Sequence, residues 1–380
     1  MATPTIPNGK EHFFPIIYEG NGAGQRVGRF VPFTDSGTID NSCIFNSPDS
    51  PVLSRTPSGT GTSKKTFTIS AWVKRGRLIN ASSEPSMTIY GVNHGSSSRY
   101  GIFSLYNGGS GNPTQLRLFL GKYTTGSSTS YVDWYTNRTL EDTSKWYHVM
   151  AAVDTTNSTA GDRVKLYIDG ERITSFAASS NPSLNDEFYF GSEYANHVST
   201  YDGSYGDWDG YMAEFNFVDG QALLPASFGQ TDTSTGRWIP SVVKPYPTTT
   251  TDIAVTVVSS GGNKYALDGV TQGTVTLIEG ATYKFDQSDS SNSGHPLRFS
   301  TTSDGTHGGG SEYTTGVTTV GTPGSSGAYT QITVAVGAPT LYYYCTNHSG
   351  MGGTANTQDQ YGTNGFRIKF QDSSALGDDT

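Results

Sequence analysis

Residues 344–351 read Tyr344-Cys345-Thr346-Asn347-His348-Ser349-Gly350-Met351 and follow an aromatic run with the composition of a strand. One short turn therefore carries a thiol, an imidazole and a thioether. A second imidazole, His295, lies upstream in another strand-like segment, residues 294–299 (GHPLRF). Two histidines, a cysteine and a weak axial methionine are the ligand set of a mononuclear copper site. The sequence therefore predicts a metal site at His295, Cys345, His348 and Met351.

The composition of the chain indicates β-structure. Charged residues make up 15% and hydrophobic residues 34% of the 380 residues, with 47 glycines and 23 tyrosines. β-Branched and aromatic side chains suit pleated surfaces, and glycine serves turns. Apolar residues at helical spacing are nearly absent, whereas short alternating segments such as residues 67–73 (FTISAWV) recur between turn signals. We therefore predict an all-β protein built from sandwiches.

Charge and cysteine content exclude several classes of protein. A net charge of −9 argues against nucleic-acid binding, because no basic stripe is present to neutralise phosphates. The two cysteines, Cys43 and Cys345, are far apart and argue against a disulfide framework. The polar first ten residues lack the apolar core of a signal peptide, and no apolar run is long enough to span a bilayer. We expect synthesis in the host cytoplasm without a signal peptide, and no membrane insertion.

Turn-rich and proline-rich stretches divide the chain into five parts. We predict an extended N-terminal arm at residues 1–40, a first sandwich at 41–240, a linker at 241–251, a second sandwich at 252–358, and a strand with a tail at 359–380. Prolines and glycines punctuate the arm, which leaves open whether it docks on a partner chain or is a disordered leader. The linker is marked by prolines and a threonine run.

The first sandwich carries a family resemblance. Residues 146–154 (WYHVMAAVD), 164–170 (VKLYIDG) and 210–217 (GYMAEFNF) resemble the core of laminin-G-like, concanavalin-type jelly rolls. Residues 46–55 (NSPDSPVLSR) resemble versions of this domain in tailed-phage virion proteins. The resemblance implies a jelly-roll sandwich with ligand-binding loops.

The second sandwich resembles the cupredoxin fold, a Greek-key β-sandwich. One histidine lies on an early strand and a Cys-x-x-His-x-x-Met loop lies near the end, with the loop spacing of the amicyanin type. The resemblance implies copper, with Tyr342 and Tyr344 as shields of the thiolate. The residues leave three alternatives open: an empty site, zinc in the same site, and His307 as a competing imidazole.

The last strand resembles a different part of the phage proteins. Residues 362–370 (GTNGFRIKF) are predicted to form this strand, and their continuation, residues 371–380, resembles a segment that commonly follows the jelly roll directly in those proteins. The cupredoxin-like unit would then interrupt the jelly roll rather than follow it, and the final strand would pack against the first sandwich.

A second group of candidate ligands lies in residues 201–210 (YDGSYGDWDG). Asp202, Asp207 and Asp209 lie between glycine turns, which suits calcium, although their spacing matches no known calcium loop and a solvated turn is the alternative. Tyr201 and Trp208 supply rings that could stack on a glycan. Asp186, Glu187 and Glu193 show no paired-carboxylate pattern of a glucanase, and His94, His148 and His197 have no visible partners, so we predict no enzyme and structural roles for these histidines.

We therefore predict a phage virion structural protein exposed on the particle, on the tail or the capsid surface. It would attach to a neighbouring virion protein, to a host-surface glycan, or to both. As a virion part it is expected to be a homo-oligomer, with a trimer as the first guess. The alternatives are a blue-copper electron-transfer protein and a carbohydrate-active enzyme.

Overall fold

The structure is a computed structural model that describes residues 39–77, 86–95, 100–107, 114–123, 130–202 and 206–371. Within these ranges the regular structure consists of β-strands and short 3-10 turns, without an α-helix, which confirms the all-β prediction. No helix in the described part of the chain is long and apolar enough to cross a membrane. The predicted arm lies outside the described residues up to residue 38, as does the predicted tail beyond residue 371.

The described residues form 27 strands, numbered along the chain. The first sandwich contains β1 (Cys43–Phe45), β2 (Leu53–Arg55), β3 (Thr66–Arg75), β4 (Ser86–Asn93), β5 (Tyr100–Tyr106), β6 (Gln115–Gly121), β7 (Tyr131–Thr139), β8 (Tyr147–Asp154), β9 (Val164–Ile168), β10 (Glu171–Arg172), β11 (Phe176–Ala178), β12 (Ala195–Val198) and β13 (Gly210–Asp219). A short hairpin, β14 (Gly229–Thr231) and β15 (Trp238–Pro240), follows.

The remaining strands belong to the second sandwich, apart from the last one. They are β16 (Thr251–Ser259), β17 (Asn263–Leu267), β18 (Val270–Thr271), β19 (Val275–Ile278), β20 (Thr282–Asp286), β21 (Leu297–Ser300), β22 (Glu312–Tyr313), β23 (Val317–Val320), β24 (Tyr329–Thr333), β25 (Leu341–Cys345), β26 (Gly353–Gln358) and finally β27 (Phe366–Ile368). The 3-10 turns are Ser47–Asp49, Ala160–Asp162, Pro225–Ser227, Ser290–Asn292 and Gly305–Gly308.

The first sandwich packs two seven-stranded sheets against each other. The first sheet has the order β1-β13-β3-β8-β9-β10, with β27 also paired to β13, and the second sheet has the order β11-β7-β6-β5-β4-β12-β2. Alternate residues of β3, Phe67 and Ile69 among them, lie in one buried cluster with Leu118 and Trp134 from the second sheet. Alternate apolar side chains from two antiparallel sheets form the core of a jelly-roll sandwich, as the sequence predicts.

The second sandwich has its own core. Its two sheets have the orders β18-β17-β16-β20-β24-β23 and β19-β26-β25-β21-β22. Most strand pairs are antiparallel, whereas β16 with β20 and β19 with β26 are parallel. Phe285 and Phe299 meet edge to face at 5.2 Å in the middle of a buried cluster that also contains Leu341 and Cys345. The cysteine of the predicted metal site is therefore part of this core.

After the second sandwich the chain returns to the first. Strand β27 pairs antiparallel with β13, so that Ile368 lies opposite Phe215. The buried carboxylate of Asp219 at the end of β13 accepts backbone hydrogen bonds from Thr62 on one side and Asn364 on the other. Burial raises the pKa of Asp219, and the backbone donors act in the opposite direction. Between β15 and β27 the second sandwich is thus inserted into a chain that is anchored on the first sandwich at both ends.

His148, on β8, is a fully buried imidazole in the first sandwich. Its Nε2 lies 2.9 Å from Ser70 Oγ, and Trp238 Nε1 donates a hydrogen bond of 3.1 Å to its Nδ1. Because an indole N–H can only donate, the neutral imidazole carries its proton on Nε2 and donates it to Ser70. Burial lowers the pKa of His148 to about 3. This histidine cannot act as a base toward the serine, and it ties β15 to β8 as a structural residue.

Candidate metal centre

Three of the four predicted metal ligands lie together at one end of the second sandwich. Cys345 Sγ lies 3.8 Å from His295 Nδ1 and 3.7 Å from His348 Nδ1. The ligand atoms of all three residues lie within 4.8 Å of one another, and among the described residues this is the one cluster of its kind. The three donor residues that the sequence motif predicts, His295, Cys345 and His348, therefore lie together in the structure.

Strand pairing brings the first histidine to the motif. Cys345 is the last residue of β25 and lies opposite Leu297, the first residue of β21. His295 is separated from Leu297 only by Pro296 and therefore lies at the same end of the sheet. The turn after β25 then brings His348 back toward the thiol. Two adjacent antiparallel strands and one turn are sufficient to assemble the cluster.

Met351, the fourth predicted ligand, is buried beneath this turn. It is 1% exposed and belongs to the same core cluster as Cys345, whereas His348 is exposed. The thioether therefore lies in the protein interior, and one imidazole lies at the surface. This arrangement gives the site an apolar inner wall and a single polar edge.

His295 is held in the neutral state that metals require. Burial, and secondly the neighbouring His348, lower the pKa of His295. Its carbonyl oxygen accepts hydrogen bonds of 2.8 Å from Tyr265 OH and from Gln287 Nε2. Asn263 Nδ2 lies 3.4 Å from His295 Nε2, on the side of the ring away from Cys345. The backbone at His295 is thus held by two hydrogen bonds, and Nδ1 of its ring lies 3.8 Å from the thiol.

The expected shielding of the thiolate by Tyr342 and Tyr344 is wrong. Side chains alternate along β25, so both tyrosines lie on the face opposite to Cys345. Tyr344 packs instead against Gly305, where a Cβ would lie 2.5 Å from its ring. Tyr265, from β17, is a buried tyrosine in the same core cluster as Cys345.

His307 does not join the donor cluster. It is exposed in the turn Gly305–Gly308, and its Nε2 lies 3.0 Å from the carbonyl oxygen of Cys345. The imidazole therefore contacts the backbone of a ligand residue rather than the ligand atoms. The competing role weighed from the sequence is not supported by this placement.

The donors present fit a mononuclear copper ion. With metal–nitrogen bonds of about 2.0 Å and metal–sulfur bonds of about 2.3 Å, a trigonal arrangement separates nitrogen from sulfur by about 3.8 Å. The observed separations of 3.7 and 3.8 Å agree with this value. A thioether in the same core cluster as the thiol suits copper, because structural zinc takes four strong nitrogen, oxygen or thiolate ligands.

Trp208 is not a glycan ligand, and this expectation is wrong. The side chain is fully buried in the core of the first sandwich. Its backbone N–H donates to the carbonyl of Ser199 over 2.6 Å, which turns the segment inward. The surrounding glycines suggest an exposed turn, but the indole fills the core instead.

The neighbouring aspartates keep only part of their predicted role. Asp209 accepts a hydrogen bond of 2.8 Å from Arg77 Nε. The carboxylate that calcium would require is therefore already engaged in an ion pair. Asp202, Asp207 and Tyr201 are half-buried, and residues 203–205 between them lie outside the described residues. A calcium or glycan role for these three residues stays a prediction.

A row of aromatic rings on the second sheet of the first sandwich was missed by the sequence reasoning. Tyr100 stacks on Phe119 at 4.7 Å, and Phe119 stacks on Tyr131 at 4.8 Å, across β5, β6 and β7. Beside them Arg117 and Asp133 form a two-point ion pair of 2.9 and 2.6 Å. Tyr131 is 53% exposed. The alternation along each strand marks the outward face, but only the strand register brings the rings together.

The carboxylates weighed as hydrolase acids are in ion pairs. The pairs are Glu193 with Lys64, Asp186 with Lys122 and Glu187 with Lys65. Glu193 also accepts a hydrogen bond of 2.9 Å from Tyr123 OH, and these contacts together lower its pKa, although burial opposes them as the largest single effect. A carboxyl with a lowered pKa is a poor general acid near neutral pH.

Comparison with known proteins identifies the first sandwich. Residues 50–227 match the family Laminin_G_3, described as the Concanavalin A-like lectin/glucanases superfamily. A search of the curated proteins gave no match.

Several solved structures are similar at low identity. Domain 4 of AbnA, a GH43 extracellular arabinanase from Geobacillus stearothermophilus, is 19% identical with a TM-score of 0.33, over 50% of this chain and 76% of that one. A putative carbohydrate binding protein from Bacteroides ovatus is 18% identical with a TM-score of 0.33, over 58% and 54%. The enzymatically active domain of bacteriophage CBA120 tailspike protein 2 is 13% identical with a TM-score of 0.32, over 51% and 29%.

The family match and the sheet architecture describe the same part of the chain. Residues 50–227 extend from just before β2 to the turn after β13, and thus include nearly all strands of both seven-stranded sheets. The first sandwich therefore has the fold of a jelly-roll sandwich, and the Concanavalin A-like family model matches this part of the chain.

Proposed function

We propose that this chain is a structural protein of a tailed-phage particle, exposed on the tail or the capsid, that attaches to a host-surface glycan or to a neighbouring virion protein. The observation that carries the proposal is the insertion of a second sandwich into a jelly roll that holds both of its ends, through β15 and β27. A module fixed at two points is suited to display on a particle. The phage-like sequence of residues 46–55 supports the same role.

The aromatic row on β5, β6 and β7 is the proposed glycan-binding face. Sugar rings pack on aromatic faces, and Tyr131 offers an exposed ring at the end of the stack. The Arg117–Asp133 pair beside it supplies hydrogen-bond donors and acceptors without net charge. A neutral, hydroxyl-rich glycan matches these groups.

A glycan array with purified protein tests this face. We expect binding to host-type polysaccharide, and a loss of about fivefold for Tyr131→Ala, since a stacked ring contributes on the order of 1 kcal/mol. Tyr211→Ala is the matched control, because Tyr211 is 38% exposed but lies on the first sheet. If both variants bind like the unmodified protein, glycan binding does not use this face.

Imaging of the particle tests the virion role itself. The protein should be found on the tail or capsid surface as a homo-oligomer, with three copies as the first expectation. Deletion of the gene should leave particles that fail to attach to host cells. A particle that lacks the protein would overturn the proposal.

We propose no enzymatic activity, and release of reducing sugar from host polysaccharide would contradict this.

In the second sandwich we propose a copper site at His295, Cys345 and His348, with Met351 as the weak ligand. Bound copper would supply strong coordinate bonds between the turn after β25 and the start of β21. The chain contributes a neutral buried imidazole, a thiol in the core and an exposed imidazole. The ion would stiffen the module.

Electron transfer is the second candidate function, and the exposure of His348 favours it. An exposed ligand gives a partner protein direct contact with the site. Copper loading should then give an intense visible absorption, and the loaded protein should exchange electrons rapidly with a redox partner. A colourless protein after loading with Cu(II) would remove this candidate, and the absence of bound copper in a metal analysis of the same sample would remove the copper site.

A further inference from the structure

The hairpin β17–β18 contacts the metal-site turn from outside without supplying a ligand. Gln272, just after β18, donates through Nε2 to the carbonyl of Gly352 at 2.6 Å and to that of Gly350 at 3.3 Å. The ammonium of Lys264 donates to the same Gly350 carbonyl. Gly350 adopts φ +68°, so this turn is intrinsically free to take other shapes. Three side-chain hydrogen bonds from one hairpin hold it.

Tyr265, in the middle of β17, connects the segments that carry the ligands. Its backbone N–H donates to the carbonyl of Met351 over 2.9 Å, and its OH donates to the carbonyl of His295 over 2.8 Å. The ring is fully buried and lies in the same core cluster as Cys345. One residue therefore donates hydrogen bonds to two of the four predicted ligand positions, and it lies in one buried cluster with a third.

Such contacts lower the conformational-entropy cost of metal binding, because the residues that carry the ligands are already ordered in the metal-free protein. Fixing one backbone residue costs about 1–2 kcal/mol, and the metal-site turn contains several exposed residues. A turn and a histidine that are already held in place leave the full coordination energy for affinity.

We propose that Tyr265 is a positioning residue of the metal site. Its hydroxyl holds the backbone at His295 in the geometry for metal binding before the metal binds. The proposal rests on the proposed metal-binding function. The hydroxyl of Tyr265 can be removed alone, because the backbone hydrogen bond from Tyr265 to Met351 survives substitution.

Tyr265→Phe in the full chain tests the proposal, with Tyr283→Phe as the matched control. Tyr283 is a buried tyrosine of the same core, and its OH accepts a hydrogen bond of 3.0 Å from Ile278, away from the site. Affinity is measured by competition with a chromophoric chelator, using Cu(II) and Co(II). We expect Tyr265→Phe to bind about tenfold more weakly, as for other outer-shell changes, and to shift the visible absorption of the Cu(II) form. Tyr283→Phe should leave both unchanged.

A measurement on the metal-free protein separates the two proposals. The imidazole resonances of His295 and His348 should be sharp in the unmodified protein and in Tyr283→Phe, and broadened in Tyr265→Phe. If the unmodified protein binds neither metal, the metal-binding function fails, and the resonances still decide whether Tyr265 positions His295. If Tyr265→Phe matches Tyr283→Phe in its resonances, in its spectrum and in its affinity, Tyr265 has no positioning role.

Discussion

The two sandwiches each bury one imidazole, and the two imidazoles differ in what is left for chemistry. His148 is fully buried, and both of its nitrogens are occupied, one by Ser70 and one by Trp238. His295 is 8% exposed, and its Nδ1 faces a thiol and a second imidazole. Burial lowers the pKa of both. A lowered pKa therefore does not distinguish them, and the identity of the partner atoms does.

This difference indicates where histidine can bind a metal in an all-β chain. On β8, which lies between two other strands of its sheet, the neighbouring strand β3 and the covering strand β15 satisfy both nitrogens of His148. At the end of a sheet, before β21, only one side of the ring is enclosed, and the other side can meet residues of an adjacent turn. Substitutions at and around the two histidines test whether the structural role of His148 and the metal-binding role of His295 are independent.

The largest expected effect is that of Cys345→Ser on copper binding. The thiolate is the strongest ligand of the set, so its removal should cost more than the roughly 10–100-fold typical of outer-shell changes. It should also abolish the intense visible absorption. Cys43→Ser is the control, because Cys43 is the other free cysteine and lies on β1 in the first sandwich. An absorption that survives Cys345→Ser would show that the metal binds elsewhere.

His148→Ala should act on stability alone. It leaves a cavity and removes the partners of Ser70 Oγ and Trp238 Nε1, so we expect a loss of about 3 kcal/mol or more in the free energy of unfolding of the first sandwich. Urea denaturation followed by tryptophan fluorescence measures it, and copper affinity should not change. His295→Ala should show the opposite pattern, with metal affinity lost and the first sandwich unaffected. A loss below about 1 kcal/mol for His148→Ala would contradict its structural role.

The pH dependence of stability follows from the same residue. The folded-state pKa of His148, about 3, lies below the ordinary value of 6.5, so the unfolded chain binds the proton more tightly. The contribution is fully present above pH 6.5 and is lost as the pH falls toward 3. Between pH 7 and pH 5 the first sandwich should lose about 2 kcal/mol. Urea midpoints at both pH values measure this loss, and His148→Gln should remove most of it; an equal loss in that variant would assign it to other groups.

Sequence reasoning reached the metal cluster because its donors are local or carried by one adjacent strand. Cys345, His348 and Met351 lie within one turn, and His295 lies on a recognisable strand. Tyr265 could not be found in this way. Its hydroxyl meets His295 only through the packing of two sheets, and no spacing in the sequence encodes that contact.

The failures in the first sandwich have the same physical origin. Trp208 lies among glycines and aspartates, which is typical of a surface turn, yet the chain folds inward and buries the indole. The stack of Tyr100, Phe119 and Tyr131 depends on the relative register of three strands. The strands themselves follow from alternation and turn residues. Which side chains become neighbours across the sheet does not.

The smallest effect is expected at the return of the chain to the first sandwich. Asp219→Asn replaces an oxygen acceptor by an amide group beside the backbone donors of Thr62 and Asn364. Because burial already opposes the charge of Asp219, the net loss should be about 1 kcal/mol. Hydrogen exchange should become faster at the amides of Phe366–Ile368, while Tyr265→Phe and the unmodified protein exchange there at equal rates.

Copper affinity decides what this last change means for the comparison. If it stays constant in Asp219→Asn, the return strand β27 and the metal-site turn are independent, and the inserted sandwich holds its donors by its own contacts. If it falls together with the protection of β27, the anchoring of the insertion contributes to the geometry of the metal site. The two imidazoles would then belong to one coupled structure, and the separation between a structural and a ligand histidine would not hold.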